Sequence, residues 1–239
     1  MDNGKALTTL NLLHEIEATQ PGGSEEHSAI ERLILKHAMR CFGRRGYAAT
    51  SLRAIAAEVN VTAPLVSYYF KSKENLYSKV AEIVMASLES EVARALETPR
   101  PFYESILSIV QAHIGLVERC PAAVEFMFSM LYGPQEGQPT PDLESLYGGT
   151  RQRIQSVFER AIDDGELVPR PGVTPNFLVE QLGNLIHAHV SCRFKVDRLA
   201  ERYPKRREAL ERRVSAMSLD VGIEHFFFGA GDVPAFKQT

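Results

Sequence analysis

Apolar positions recur at spacings of three and four along most of this chain, the mark of helices that bury one face. The first such run is Ile30, Leu33, Ile34, His37, Ala38, Cys41 and Phe42. Gly43 and Gly46 follow and are expected to stop that helix. Thr50 opens a second, short helix carrying Leu52, Ile55, Ala56 and Val59, and Asn60-Val61-Thr62 reads as a turn that buries Val61. Residues 63–70 make a third short helix, with Pro64 in its first turn, where a missing N–H costs little. Ser72 is a good N-cap for a fourth, long helix through Leu76, Val80, Ile83, Val84 and Leu88 to about Leu96.

Beyond Thr98-Pro99-Arg100-Pro101 the helical pattern resumes over residues 102–119, 122–132, 143–165, 174–197 and 203–228, with Pro- and Gly-containing breaks between. No alternating run is long enough for a sheet. The expected fold is all-α, with about nine or ten helices. Residues 1–27 mix polar residues with Pro21-Gly22-Gly23-Ser24 and read as an N-terminal arm.

Charge changes this picture. Residues 28–80 hold nine Lys and Arg against three Asp and Glu, while the other residues hold 18 against 27. A basic segment joined to an acidic remainder fits a polyanionic partner at one end only. The 239 residues suit a small domain plus a larger one. Cys41, Cys120 and Cys192 give neither a disulfide framework nor a metal-binding spacing. No signal peptide and no run of about 18 apolar residues is evident, so a cytoplasmic chain without membrane association is expected.

Three helices of about 16, 9 and 8 residues, the last two joined by a tight turn, make a helix-turn-helix layout. A short helix fits the major groove of DNA while its neighbour braces it across the backbone. The start of the second helix, at Thr50 and Ser51, offers free N–H groups and a dipole suited to phosphate. Arg53 lies within reach of backbone or base edge, Thr62, Ala63, Leu65, Ser67 and Tyr68 lie on the third helix, and Tyr69, Lys71 and Lys73 line its end.

The stretch Phe42-Gly43-x-x-Gly46-Tyr47-x-x-Thr50-Ser51-Leu52-x-x-Ile55-Ala56, then Val61-Thr62, then Tyr68-Tyr69-Phe70-x-Ser72-Lys73-Glu74-x-Leu76, resembles the N-terminal domain of the TetR family of regulators. The resemblance implies a helix-turn-helix DNA-binding domain over 28–75, followed by a helical effector-binding and dimerisation domain over 76–239. It implies phosphate contacts for Thr50, Ser51 and Lys73, and base or groove contacts for Arg53, Ala63, Leu65 and Tyr69. Ser67, Leu65 and Pro64 stand where the family often has Tyr, Thr and Gly, which leaves the operator sequence open. The third helix is poor in bidentate side chains, so Arg53 is the best candidate for a guanine contact.

In the larger domain the resemblance suggests a small-molecule pocket. Its candidate lining is His113, Glu125, Phe126, Met130, Phe158, Asn184 and His187. Apolar faces on the last two helices predict a dimer surface, with Leu178, Leu182, Leu185, Phe194, Met217 and Phe226 as its residues. His187 and His189 stand two apart, the wrong spacing for a helical metal pair, so no metal and no cofactor is expected. The expected function is a ligand-responsive repressor that binds a palindromic operator as a homodimer. An interaction module without DNA, and an enzyme using His187, are the alternatives; no nucleophile elbow, phosphate loop or metal signature supports the enzyme.

Overall fold

Eight α-helices carry the described chain, and each begins or ends for a local reason. A computed structural model describes residues 25–140, 142–206, 208–209, 223 and 231–232. The helices are α1 (Glu25–Arg45), α2 (Leu52–Val59), α3 (Ala63–Phe70), α4 (Lys73–Ala95), α5 (Phe102–Arg119), α6 (Pro121–Tyr132), α7 (Leu143–Asp163) and α8 (Pro175–Arg202). A single turn of 3₁₀-helix, Pro204–Arg206, follows α8. Val168–Pro169 (β1) pairs antiparallel with Gly231–Asp232 (β2), a two-residue ladder that the sequence pattern does not announce. The expected helix over 203–228 falls almost wholly outside the described residues, as does the N-terminal arm up to residue 24.

Gly43 does not stop α1; the helix runs through it to Arg45. A Cβ on Gly43 would sit 2.9 Å from the backbone nitrogen of Phe126, so the missing side chain lets α6 lie close against α1. Gly46, at φ 78°, is the residue that ends the helix, by taking a left-handed conformation.

The chain divides into two compact units. The first holds residues up to 92 together with 115–149, and the second holds 93–114 together with 150–239. In the first unit α1 supplies Ile34, Leu35, Ala38, Cys41 and Phe42 to the core, all buried, as are Ile55, Val66, Phe70, Leu76 and Val80. Leu52 and Val61, equally apolar, are only half-buried. Four rings knit this core: Phe42 lies 5.1 Å from Tyr77 and 6.4 Å from Phe126, and Tyr47 lies 5.1 Å from Tyr77. Glu91 of α4, itself buried, accepts an ion pair from Arg119 at 2.5 Å.

The second unit has its own core. Phe102 packs edge-on against Phe158 at 5.6 Å, and the Phe102 N–H donates to Glu166 at 2.7 Å. Arg151 of α7 holds Asn176 and Glu180 of α8 at 2.5 and 2.7 Å. Leu178 and Leu182 face inward here and are at most 1% exposed. They close the core of their own chain, and this corrects their assignment to a dimer surface: side chains already covered leave no area for a partner to cover. Leu185 is half-buried; the Phe194 side chain, Met217 and Phe226 lie outside the described residues. No described helix is long and apolar enough to cross a membrane.

Candidate nucleic-acid interface

Helix α2 packs on α1, and α3 packs on α2. Each of the two short helices is fixed at both ends. Ser51 caps α2, its hydroxyl accepting from the Ala54 N–H at 3.1 Å. Asn60 ends α2 in the left-handed region (φ 58°), a conformation its short amide side chain tolerates. Thr62 caps α3, with its hydroxyl 3.4 Å from the Leu65 nitrogen, and Pro64 lies in the first turn as expected. Lys71 ends α3 at φ 63°, a strained setting for a long side chain. Ser72 then caps α4 by accepting from the Asn75 N–H at 3.1 Å. Three caps and two positive-φ residues between Ser51 and Ser72 therefore set the angles of α2, α3 and the start of α4.

The predicted contact residues divide by what they touch. Ser51, Arg53, Thr62, Tyr68 and Lys71 are exposed, with Tyr68 70% exposed. Ala63, Leu65, Ser67 and Tyr69 are half-buried, and Tyr68 stands edge-on to Tyr69 at 5.5 Å. Thr50 departs from expectation. It is 1% exposed, and its hydroxyl donates toward the carbonyls of Gly46 at 2.8 Å and Cys41 at 3.2 Å. That hydroxyl ties the end of α1 to the start of α2 and has no proton left for a phosphate. Lys73 is half-buried with its ammonium 4.0 Å over the Tyr47 ring, and burial holds its pKa below the usual lysine range. The exposed cations of this surface are Arg53 and Lys71.

Residues 34–80, this same capped assembly, match the family described as "Bacterial regulatory proteins, tetR family". Over these residues the chain is similar to that family. A relative, the "Uncharacterized HTH-type transcriptional regulator YhgD" of Bacillus subtilis (strain 168), is 29% identical over 76 residues. That match covers 32% of this chain, and the chain spans only 40% of the relative's length. Among solved structures, the TetR-family regulator PfmR from Thermus thermophilus is similar with a TM-score of 0.56 at 19% identity, over 66% of this chain and 84% of that one. AibR, solved in complex with isovaleryl coenzyme A and operator DNA, is similar with a TM-score of 0.56 at 20% identity, over 66% and 83% of the two chains. These likenesses establish the TetR fold.

The expected pocket residues fall in both units. Glu125, Phe126 and Met130 fall in the first unit, and His113, Phe158, Asn184 and His187 in the second. Phe126 and Phe158 are fully buried in their separate aromatic clusters, and Met130 is buried too. Glu125 pairs with Arg44 at 3.5 Å. His113 is sealed in its core, where its Nδ1–H donates to the Ile109 carbonyl at 2.8 Å; burial pulls its pKa below the usual histidine value. Asn184 is exposed, and His187 Nε2 lies 3.2 Å from the Ser191 hydroxyl, one helical turn on.

One feature of the first unit escaped the sequence reading. A surface pocket of about 240 Å³ opens between α1 and α2, lined by His37, Arg40, Cys41, Arg44, Arg45 and Glu58. The signal was present as basic residues at spacings of three to five on α1, which read only as general positive charge.

Proposed function

We propose that this chain is a transcriptional regulator of the TetR family that binds double-stranded DNA through α2 and α3. The observation that carries the reading is the exposure of Arg53, Tyr68 and Lys71 on two short helices whose ends are fixed by caps, within a segment of strong positive charge. A rigid pair of short helices presents α3 to the major groove and the α2 N-terminus to the backbone. Arg53 is suited to bond guanine O6 and N7 together, and Ser51 and Lys71 to meet phosphates. The exposed part of α3 offers few hydrogen-bonding groups to bases, so groove shape contributes to the choice of operator.

The finer reading is of a homodimer on a palindromic operator, with residues 28–75 as the DNA-binding part and 76–239 as the effector-binding and dimerising part. A two-fold protein reads two half-sites about 34–36 Å apart or a multiple of it. A small molecule that binds the DNA-incompetent state better releases the operator, as a repressor acting in the cytoplasm requires. Support for ligand control comes from AibR, a similar fold solved with both isovaleryl coenzyme A and operator DNA.

The test is fluorescence anisotropy of the full chain on its own upstream DNA across a salt series. Each phosphate contact contributes a slope of about −0.9 in log affinity against log salt. Lys71→Gln is expected to lower the slope by roughly one such contact. Arg53→Ala is expected to cost about 1–3 kcal/mol on the operator and much less on random DNA. Binding that ignores salt, or that both variants leave unchanged, overturns the reading.

A further inference from the structure

The pocket between α1 and α2 lies apart from the surface assigned to DNA. Five of its six lining residues come from α1: His37, Arg40, Cys41, Arg44 and Arg45. Their spacings of three, four and seven put them along one side of the helix. The sixth, Glu58, comes from α2. Arg53 is five residues before Glu58, which at about 100° per residue turns it roughly 140° away around α2. The pocket and the guanine-reading candidate therefore occupy different faces of one helix.

Charge within the pocket is unequal. Glu58 is the carboxylate there, and it is already engaged: Arg45 binds one oxygen at 2.8 Å, and His37 Nδ1 lies 3.5 Å from the other. Burial alone would raise the Glu58 pKa, but hydrogen bonds from Cys41 and His37 and the nearby Arg45 charge outweigh it and hold the group ionised. Arg44 shares its Nε with Glu125 at 3.5 Å and is otherwise mostly exposed. Arg40, half-buried, forms no ion pair with any described residue. His37 Nδ1 is buried, and its contact with Glu58, at 3.5 Å, is a long one. Two guanidinium groups, four residues apart on one helix, thus border a cavity whose own carboxylate is neutralised.

We infer that this pocket is a binding site for a small phosphate-class oxyanion, held between Arg40 and Arg44. Planar guanidinium forks match the edges of such an anion and bond it through pairs of N–H groups. The cavity, about 240 Å³, is smaller than the roughly 300–1,000 Å³ of sites for drug-sized ligands, which favours an ion or a compact phosphorylated molecule. Cys41 is not a competing nucleophile: burial, then its bond to Glu58, pushes its thiol up to about 11. No group of three or more His, Cys, Asp or Glu among the described residues could hold a metal ion, so a cation is not the occupant read here.

The same oxyanion occurs on the DNA backbone, and the experiment separates the two sources. Inorganic phosphate is titrated into the full-length protein at constant ionic strength, with chloride as the control, and the arginine Nε–Hε NMR signals are followed. Saturating shifts of Arg40 and Arg44 with phosphate but not chloride are expected. The double variant Arg40→Gln, Arg44→Gln should weaken that binding about tenfold or more, since two charge-assisted contacts are removed. It should leave the salt slope of DNA binding unchanged. Shifts that never saturate, or that chloride reproduces, overturn the site; so does equal phosphate affinity in a folded double variant. A fall of about two contacts in the DNA salt slope reassigns the arginines to the DNA backbone and also overturns it. If the double variant does not fold, the phosphate-against-chloride comparison on the unaltered protein still decides.

Discussion

Thr50→Val separates a structural hydroxyl from a DNA-contacting one. The substitution keeps shape and β-branching and removes only the O–H that reaches the Gly46 carbonyl at 2.8 Å and the Cys41 carbonyl at 3.2 Å. The site is 1% exposed, so water cannot replace the lost donor. A net hydrogen bond contributes about 0.5–1.5 kcal/mol, and a buried acceptor left without a partner costs about 1–3 kcal/mol. The Cys41 carbonyl keeps its place in the α1 ladder, so the Gly46 carbonyl carries most of the loss, about 2 kcal/mol in all. For a chain of this size that is a drop of about 4–8 °C in Tm. Thr50→Ser, which restores the hydroxyl, should recover most of it. Differential scanning calorimetry beside anisotropy at low temperature, where both variants are folded, gives the two readouts. The expected outcome for Thr50→Val is a lower Tm with little change in DNA affinity. An unchanged Tm with weakened DNA binding would refute the structural role and return Thr50 to the phosphate-contacting set.

Gly43, within α1, and Gly46, just past its end, should fail for different reasons when replaced. Gly46→Ala meets no neighbour within 4 Å but must hold φ 78°, costing about 1–2 kcal/mol in urea unfolding; Gly46→Asn should cost less. Gly43→Ala gains about 1 kcal/mol of helix propensity, yet its Cβ would meet the Phe126 backbone at 2.9 Å, so net destabilisation is expected; a more stable variant would contradict the close packing of α1 on α6. Phe126→Ala, in the four-ring cluster, should cost about 3–5 kcal/mol, and a loss below about 1 kcal/mol would mean the ring is not core. His113 supplies the pH dependence. Its folded pKa is depressed by burial, so the unfolded chain takes up the proton first; stability is intact above about pH 6.5 and falls as pH drops below it, by at most about 1.4 kcal/mol per pH unit. His113→Gln should flatten that part of the Tm profile, and an identical profile in the variant would exclude His113 as its source.

Helix type and order were legible because the apolar spacing of α1, α4 and α5 is long and regular, and because Ser72 and Pro64 announce helix starts directly. Gly43 misled because glycine breaks an exposed helix but also serves where another backbone comes close, and only the position of α6 decides which. Thr50 misled in the same way. A threonine before a short helix fits an exposed capping site, but the cap is the next residue, Ser51, and Thr50 turns inward. Leu178 and Leu182 belong to a wide apolar stripe on α8, and a stripe says that something covers it, not whether the cover is the same chain or another. Phe126 and Phe158 carried no signal of their separate clusters, since both partners, Phe42 and Phe102, are distant in sequence. Arg53 and Lys71 stayed where the pattern put them, because exposed charge on a short helix needs no tertiary information to place.

The most direct measurement of DNA recognition by α2 and α3 is a hydroxyl-radical footprint of the full-length protein on its own upstream region. Operator binding by a two-fold pair of these domains predicts two protected patches about 34–36 Å apart, or a multiple of that spacing, lost when Arg53 and Lys71 are both replaced. Uniform cleavage at protein concentrations that saturate anisotropy, or a footprint that the double replacement leaves intact, would contradict it.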